Sequence, residues 1–245
     1  MVNNVPGHTN DCIPFDRMNA LQHLFSRYES NLNIFDVGAN LGQTVEEMLE
    51  YFPKSNIYAF EPQPEVFKSL KEKFFLKNVK AFELAFSENE SKEKFYINQK
   101  NHMTSSMNRI NTNSISVKNN YHPKGYFKEL KEQQIYVNTS TIDKFIKTKD
   151  IRSIDILKLD TQGSEIKILK GAKETLAEGK VKVIISECHF DNLYCVDQHI
   201  APNLFRILYN NNFALYDISH IYKNYETSQT LWADFIFVHT TFFKL

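Results

Sequence analysis

The run Asn33-Ile34-Phe35-Asp36-Val37-Gly38-Ala39-Asn40-Leu41-Gly42 constrains this chain more than any other segment. An apolar strand ends in Asp36, and a turn carrying Gly38 and Gly42 opens a helix at about Gln43. Glycine suits a turn that a ligand must approach closely, and a helix N-terminus presents free N–H groups. A second apolar strand, Ile57-Tyr58-Ala59-Phe60, ends in Glu61 and Pro62. In an open α/β sheet both strand ends open on one ligand crevice, and an acidic residue at the second can hold the two hydroxyls of a ribose.

The spacing selects among nucleotides. It is Gly-x-Asn-x-Gly, not the Gly-x-Gly-x-x-Gly of the nicotinamide fingerprint. With no pyrophosphate to cradle, a nucleoside joined to an amino acid fits better, and that describes S-adenosylmethionine.

The rest of the chain repeats the strand–helix alternation of a parallel sheet covered on both faces. Helical spacing of Met18, Leu21, Phe25 and Tyr28 predicts a helix over 16–28, after a polar arm at 1–14. Strands are expected at 33–37, 56–60, 79–85, 154–160 and 181–187. Helices are expected at 43–51, 64–76, 141–147, 165–178 (capped by Ser164 and stopped by Gly179) and 201–210. Strands at 213–217 and 232–238 read as an antiparallel pair at one sheet edge. Between 86 and 140 the alternation breaks, leaving two short strands around Phe95-Tyr96-Ile97 and Ile135-Tyr136-Val137. From Asn98 to Phe127 there is no acidic residue, against four Lys or Arg and seven Asn. Such an excursion reads as a solvated segment or as an acceptor-binding lid. Its Met, Tyr and Phe content, with the Asn amides, suits a polyhydroxylated acceptor such as a sugar. With 245 residues and no repeat or linker, one domain over 1–245 suffices, with 1–31 as arm and helix and 98–127 as the inserted loop.

Charge and cysteine usage narrow the partners. Basic and acidic residues balance at 29 each, which argues against bulk binding to nucleic acid or to an anionic membrane. No apolar run reaches the length of a membrane span, and the polar N-terminus lacks the core of a signal peptide. Cys12, Cys188 and Cys195 lack metal-ligand or redox spacing, so reduced thiols in a cytoplasm are expected.

Chemistry concentrates after the later strands. Lys158 and Asp160 share a face of one strand, Glu187 ends the next, and His189 follows it. If the strands are neighbours, the two carboxylates lie side by side, where they would stabilise a sulfonium. His189 reads either as the base that takes an acceptor hydroxyl's proton or as a hydrogen-bonded loop residue. Lys158 reads best as an internal ion pair with Asp160 or Glu187. Asp160, Glu187 and His189 also permit, without requiring, a hard divalent ion.

Four ordered motifs carry a resemblance: Phe35 to Gly42, Phe60-Glu61-Pro62, Leu157-Lys158-Leu159-Asp160-Thr161-Gln162-Gly163-Ser164-Glu165, and Leu169-Lys170-Gly171-Ala172. Together they resemble the FkbM family of methyltransferases from about Leu32 to Glu187. The resemblance implies S-adenosylmethionine-dependent O-methylation, often of sugar hydroxyls. It implies that Asp36, Gly38, Ala39, Asn40, Gly42 and Gln43 line the methionine end and that Glu61 and Pro62 hold the ribose. It also implies that Ala85 and Ser87 border the adenine, and that Lys158 and Asp160 face the reaction centre. Many members have Glu where this chain has Gln162, so Gln162 receives no acid or base role. The expected architecture is a Rossmann-like class I methyltransferase fold: a mostly parallel seven-stranded sheet with helices on both faces and an antiparallel edge strand. The expected activity is O-methyl transfer to a hydroxyl of a glycan or glycoconjugate. Alternatives are a non-carbohydrate small-molecule acceptor or a non-catalytic cofactor- or glycan-binding module.

Overall fold

A computed structural model describes residues 17–26, 31–118, 130–195, 200–224 and 227–243. The expected N-terminal arm, Cys12, the end of the first expected helix and residues 119–127 of the expected loop lie outside these.

The described chain runs α1 (Arg17–Phe25), β1 (Asn33–Val37), α2 (Gln43–Tyr51), β2 (Asn56–Phe60), α3 (Pro64–Lys73), β3 (Val79–Phe82), β4 (Ala85–Phe86) and β5 (Lys92–Asn98). It continues through α4 (Ile115–Lys118), β6 (Glu132–Ser140), α5 (Ile142–Thr148), β7 (Ile154–Leu159), α6 (Glu165–Lys170) and α7 (Lys173–Ala177). It ends with β8 (Val181–His189), α8 (Ile200–Tyr209), β9 (Phe213–Lys223) and β10 (Thr230–His239).

Seven strands form one sheet in the order β3-β2-β1-β7-β8-β10-β9. All neighbours from β3 to β8 are parallel, and β10 runs antiparallel to both β8 and β9. The antiparallel strand, expected at the edge, therefore lies one position in from it, and β9 takes the edge. The strand order reverses between β1 and β7. An open sheet leaves its crevice outside the strand ends at that switch point.

Strict alternation sorts the side chains into two cores. Phe35, Leu157, Ile184 and Phe235 pack against α5, α6, α7 and α8. Ile34, Ile156, Ile185 and Ile236 pack against α1, α2 and α3 on the opposite face. Successive residues of a strand face opposite ways. Asp36, Lys158, Glu187 and Asp234 therefore point to the α1–α3 side, two residues along from that second set.

Two expected elements divide. The strand expected over 79–85 ends at Phe82, and Ala85-Phe86 pair instead with Thr139-Ser140 in a separate three-stranded sheet, β4-β6-β5. In that sheet Phe95 lies opposite Ile135, so the two short strands read from the sequence form one antiparallel pair. The helix expected over 165–178 breaks at Gly171-Ala172. Asp143 of α5 caps its second half, taking the N–H of Glu174 at 3.0 Å and of Thr175 at 2.8 Å. A methyl group on Gly171 would sit 2.1 Å from the Ser87 carbonyl oxygen, so the break lets two segments touch. The hydroxyl of Ser164 takes a bond from Asn108 Nδ2 at 3.1 Å and does not cap α6.

Candidate active site

The first turn is held by backbone. Gly38 has φ +85°, and a Cβ there would lie 1.9 Å from the Asp160 carbonyl oxygen. Only glycine lets the end of β1 lie so close to the end of β7. The N–H groups of Gly38 and Ala39 both donate to the Phe60 carbonyl, at 3.0 and 2.9 Å, so they are not free for a ligand as the turn alone suggests. Gly42 serves packing: a Cβ would meet the Phe74 ring at 2.3 Å.

Glu61 is clamped by two backbone donors, Asn40 N–H to Oε2 at 3.0 Å and Gln63 N–H to Oε1 at 2.8 Å. Asn40 reaches this position with φ +50°, a left-handed conformation that asparagine tolerates. Burial pushes the Glu61 carboxyl up to about 7, and the two N–H bonds only partly oppose it.

A cavity of about 390 Å³ opens above this turn, within the range of small-molecule sites. Gly38, Ala39, Asn40, Gln43, Glu61 and Pro62 line it, as does Ala85. Asp36, Gly42 and Ser87, expected at the cofactor, are not among its lining residues. Asp36 is fully buried beneath the wall, with Lys158 Nζ 3.5 Å from its Oδ1. Burial raises the Asp36 pKa and Lys158 opposes the rise.

Lys158 is an internal ion pair. Its Nζ also lies 3.0 Å from Asp160 Oδ2. Burial disfavours its charge, but Asp160 and Asp36 outweigh burial and its pKa is raised. Burial would raise Asp160 too, yet the bond and charge of Lys158 pull its pKa down, so Asp160 is a carboxylate. Asp160 and Glu187 do lie on adjacent strands, and Gln162 joins them. Its Nε2 donates to Asp160 Oδ1 at 2.8 Å and to Glu187 Oε2 at 2.7 Å, while its Oε1 accepts from the Tyr194 hydroxyl at 2.5 Å. The position left without a role is thus the bridge of the site. It holds that geometry with φ +57°.

His189 is buried, with Nε2 3.1 Å from Glu187 Oε2 and Nδ1 4.0 Å from Asp191 Oδ1. Burial disfavours its charged form, but Glu187, Glu165 and Asp191 together raise its pKa. Burial and the nearby Asp160 push Glu187 up to about 7. Asp160, Lys158, Glu187 and His189 all line the one cavity. Among the described residues, no group of three or more His, Cys, Asp or Glu is placed to hold a metal ion.

The inserted segment folds over this rim. Ser106 Oγ donates to the Gln162 carbonyl at 2.7 Å and Gln63 Nε2 to the His102 carbonyl at 3.2 Å, and the Thr104 carbonyl lies 3.3 Å from the Tyr194 hydroxyl. Asn101, His102, Met103, Thr104, Ser105 and Met107 line the cavity.

Several residues at the site escaped sequence reasoning. Arg17 of α1 binds Asp234 at 3.1 Å and Glu47 at 2.5 Å. Asp234 lies opposite Glu187 in the β8–β10 ladder, so Asp160, Glu187 and Asp234 stand at one level of three adjacent strands. His220, Tyr222 and Trp232 complete that side of the cavity, with the last two rings stacked at 5.3 Å. One available signal was Asp234 itself, an acid inside the apolar run Leu231–Val238.

A parallel sheet of this order, with a glycine turn and a strand-end carboxylate at its switch-point cavity, is the architecture of a nucleoside-cofactor methyltransferase. Residues 36–217 match the methyltransferase FkbM domain, and the chain belongs to that family. A curated relative, the 2-O-methyltransferase NoeI of Sinorhizobium fredii, is 27% identical over 166 residues. That match covers 66% of this chain and 65% of the relative, just under two thirds of its length. Among solved structures, precorrin-6y C5,15-methyltransferase from Geobacter metallireducens is 12% identical at a TM-score of 0.46, covering 94% of this chain and 91% of that one. Magnesium protoporphyrin IX methyltransferase from Synechocystis, solved with bound S-adenosylmethionine, is 8% identical at 0.47, covering 91% and 77%.

That family points to S-adenosylmethionine as the cofactor of this site. The residues present fit that cofactor: Glu61, clamped at the end of β2 by the Asn40 and Gln63 N–H groups, lines a cavity at the sheet's switch point. No helix among the described residues is long and apolar enough to cross a membrane.

Proposed function

We propose that the protein transfers a methyl group to a hydroxyl oxygen of a carbohydrate. The observation that carries this reading is that Glu61, the Asp160–Gln162–Glu187 bridge and the Tyr222–Trp232 pair line one cavity. Glu61 suits a ribose. The wall formed by β9 and β10 carries the Tyr222–Trp232 pair, and Asn101, Thr104 and Ser105 also line the cavity. Aromatic faces pack on the C–H faces of a pyranose, and amides and hydroxyls pair with its hydroxyl groups. The name of the 2-O-methyltransferase relative supports an oxygen acceptor.

Bound S-adenosylmethionine supplies an electrophilic methyl group. Asp160 and Glu187 place negative charge at the rim where a sulfonium would lie, and Lys158 fixes Asp160 from below. Glu187, Glu165 and Asp191 raise the pKa of His189 against its burial, which favours the charged ring. The segment 98–118 covers the rim and, in this reading, selects the acceptor. Holding both reactants in line supplies much of the rate gain.

Purified protein incubated with labelled cofactor and an extract of cells lacking the gene should label the carbohydrate fraction. Label in the RNA fraction, or in a non-carbohydrate metabolite, would overturn the carbohydrate reading.

Glu61 gives a second test. Ribose hydroxyls donating to its carboxylate would favour the charged form, so its pKa should fall on binding. Cofactor affinity should therefore be highest above about pH 7 and decline as pH falls through the free protein's value of about 7. Binding near neutral pH should release a proton, seen by calorimetry in buffers of different ionisation enthalpy. Glu61→Ala should lose about 1.5–3 kcal/mol per charge-assisted bond and abolish the proton release. Unchanged affinity in that variant would remove the ribose assignment.

A further inference from the structure

Beside the rim stands a second histidine–carboxylate pair. His220 lines the cavity, and its Nδ1 lies 2.9 Å from Asp234 Oδ2. A carboxylate only accepts, so Nδ1 carries the proton and donates it. In the neutral ring this leaves the lone pair on Nε2, which makes no hydrogen bond among the described residues. The same Asp234 Oδ2 also accepts from Arg17 Nη1 at 3.1 Å, and the Asp234 side chain is 10% exposed. The imidazole, at 47%, opens outward. A buried acid that orients an open imidazole fixes its tautomer and supports the imidazolium that forms when Nε2 takes a proton.

Position and backbone point the same way. Asp234 pairs with Glu187 across one ladder and with Ser219 across the other, so His220 sits one residue past the level of the reaction centre. The β9–β10 ladder is irregular there, with a register shift between Trp232 and Asp234. His220 itself has φ +48°, a left-handed conformation that a histidine holds only when its surroundings impose it. Bulges beside active sites re-aim side chains. Tyr222 and Trp232, on the same two strands, line the same side of the cavity.

We propose that His220, held by Asp234, is the general base that takes the proton of the acceptor hydroxyl. This rests on the methyl-transfer reading above. The acceptor oxygen bonds to the methyl carbon as the carbon–sulfur bond breaks, and that electron pair stays on sulfur. The hydroxyl proton passes to Nε2 and leaves to solvent after product release. His189 likewise has one ring nitrogen on a carboxylate and the other without a hydrogen-bond partner, but its ring is buried among acids and does not open outward.

The test is His220→Gly in the full chain, because glycine accepts the left-handed backbone and leaves a ring-sized space. The acceptor is the whole metabolite and glycan extract of cells lacking the gene, and formation of S-adenosylhomocysteine is followed with and without added imidazole. The expected result is a roughly 10²–10⁴-fold fall in turnover, unchanged cofactor affinity, and recovery of at least about tenfold with imidazole. A fall without rescue while the cofactor still binds would overturn the proposal, as would turnover near the wild-type rate. Transfer to a non-carbohydrate acceptor with imidazole rescue would keep the base and remove only the sugar. Wild-type protein that binds cofactor yet methylates nothing in the extract would overturn both. Independently of any acceptor, ¹⁵N NMR of the wild type should show the neutral His220 ring protonated at Nδ1, and a proton on Nε2 instead would overturn the assignment.

Discussion

Gly38→Ala is expected to destabilise the protein by about 2–5 kcal/mol and to abolish cofactor binding. Two effects add at this residue. A side chain at φ +85° costs roughly 1–2 kcal/mol against glycine. The new methyl would also lie 1.9 Å from the Asp160 carbonyl oxygen, which is backbone and cannot swing away. Forcing atoms into a filled site typically costs about 1–3 kcal/mol. The strain falls where β1 and β7 meet, so relief moves either the Glu61-clamped turn or Asp160, and both line the cavity. Gly179→Ala is the control. That glycine also has positive φ, but the nearest atom to an added Cβ is 3.5 Å away, so only the conformational effect should be felt. Urea unfolding and calorimetry with S-adenosylhomocysteine read both quantities. Equal losses in the two variants, with binding intact in Gly38→Ala, would remove the close-approach argument.

Lys158→Met should be as damaging for a different reason, and its damage should depend on pH. Lys158 is buried with Asp36 at 3.5 Å and Asp160 at 3.0 Å. Removing one partner of a buried pair leaves uncompensated charge and costs about 3–5 kcal/mol. Asp36 is the more exposed to this loss, since its two carboxylate oxygens have no hydrogen-bond partner among the described residues. Burial already raises its pKa above the unfolded value, and loss of the cation raises it further. The folded state then binds more protons than the unfolded chain in the window between the two values. Stability of the variant should therefore rise as pH falls through the folded-state value, and the full deficit should appear above it. Adding Asp36→Asn should recover part of the loss at neutral pH. A deficit that is equal at pH 5 and pH 8 and unmoved by Asp36→Asn would mean that lost packing, not charge, is responsible.

The two halves of the site differed in how far they could be read before the structure. Gly38, Ala39, Asn40 and Glu61 could be sent to one crevice because they lie at ends of parallel strands joined by a single helix, whereas Asp36 and Gly42, grouped with them, do not line it. Periodicity locates such strand ends, and topology sends them to one crevice. Lys158 was legible as an ion pair because a cation in an apolar strand needs a partner, although only the structure showed that Asp36 shares it. Gln162 was passed over because its residue type differs from the family's common one. Its role as a bridge depends on a left-handed backbone and on two carboxylates 25 and 2 residues away. Arg17, His220 and Asp234 come from α1, β9 and β10, and no local pattern announces which strand will neighbour β8.

The sequence by itself determined β1, α2 and β2 to the residue, the glycine turn between β1 and α2, and the two-faced α/β class. Those features follow from side-chain period, turn stereochemistry and the residue types at strand ends, all local properties. Only the tertiary structure decided that β4 leaves the main sheet, that α6 and α7 separate under the Asp143 cap, and that β10 slides between β8 and β9. It alone placed 98–118 over the rim and set His220 against Asp234. These choices are made among segments with similar local preferences. They are settled by which long-range pairing buries most apolar surface while leaving the buried polar groups bonded.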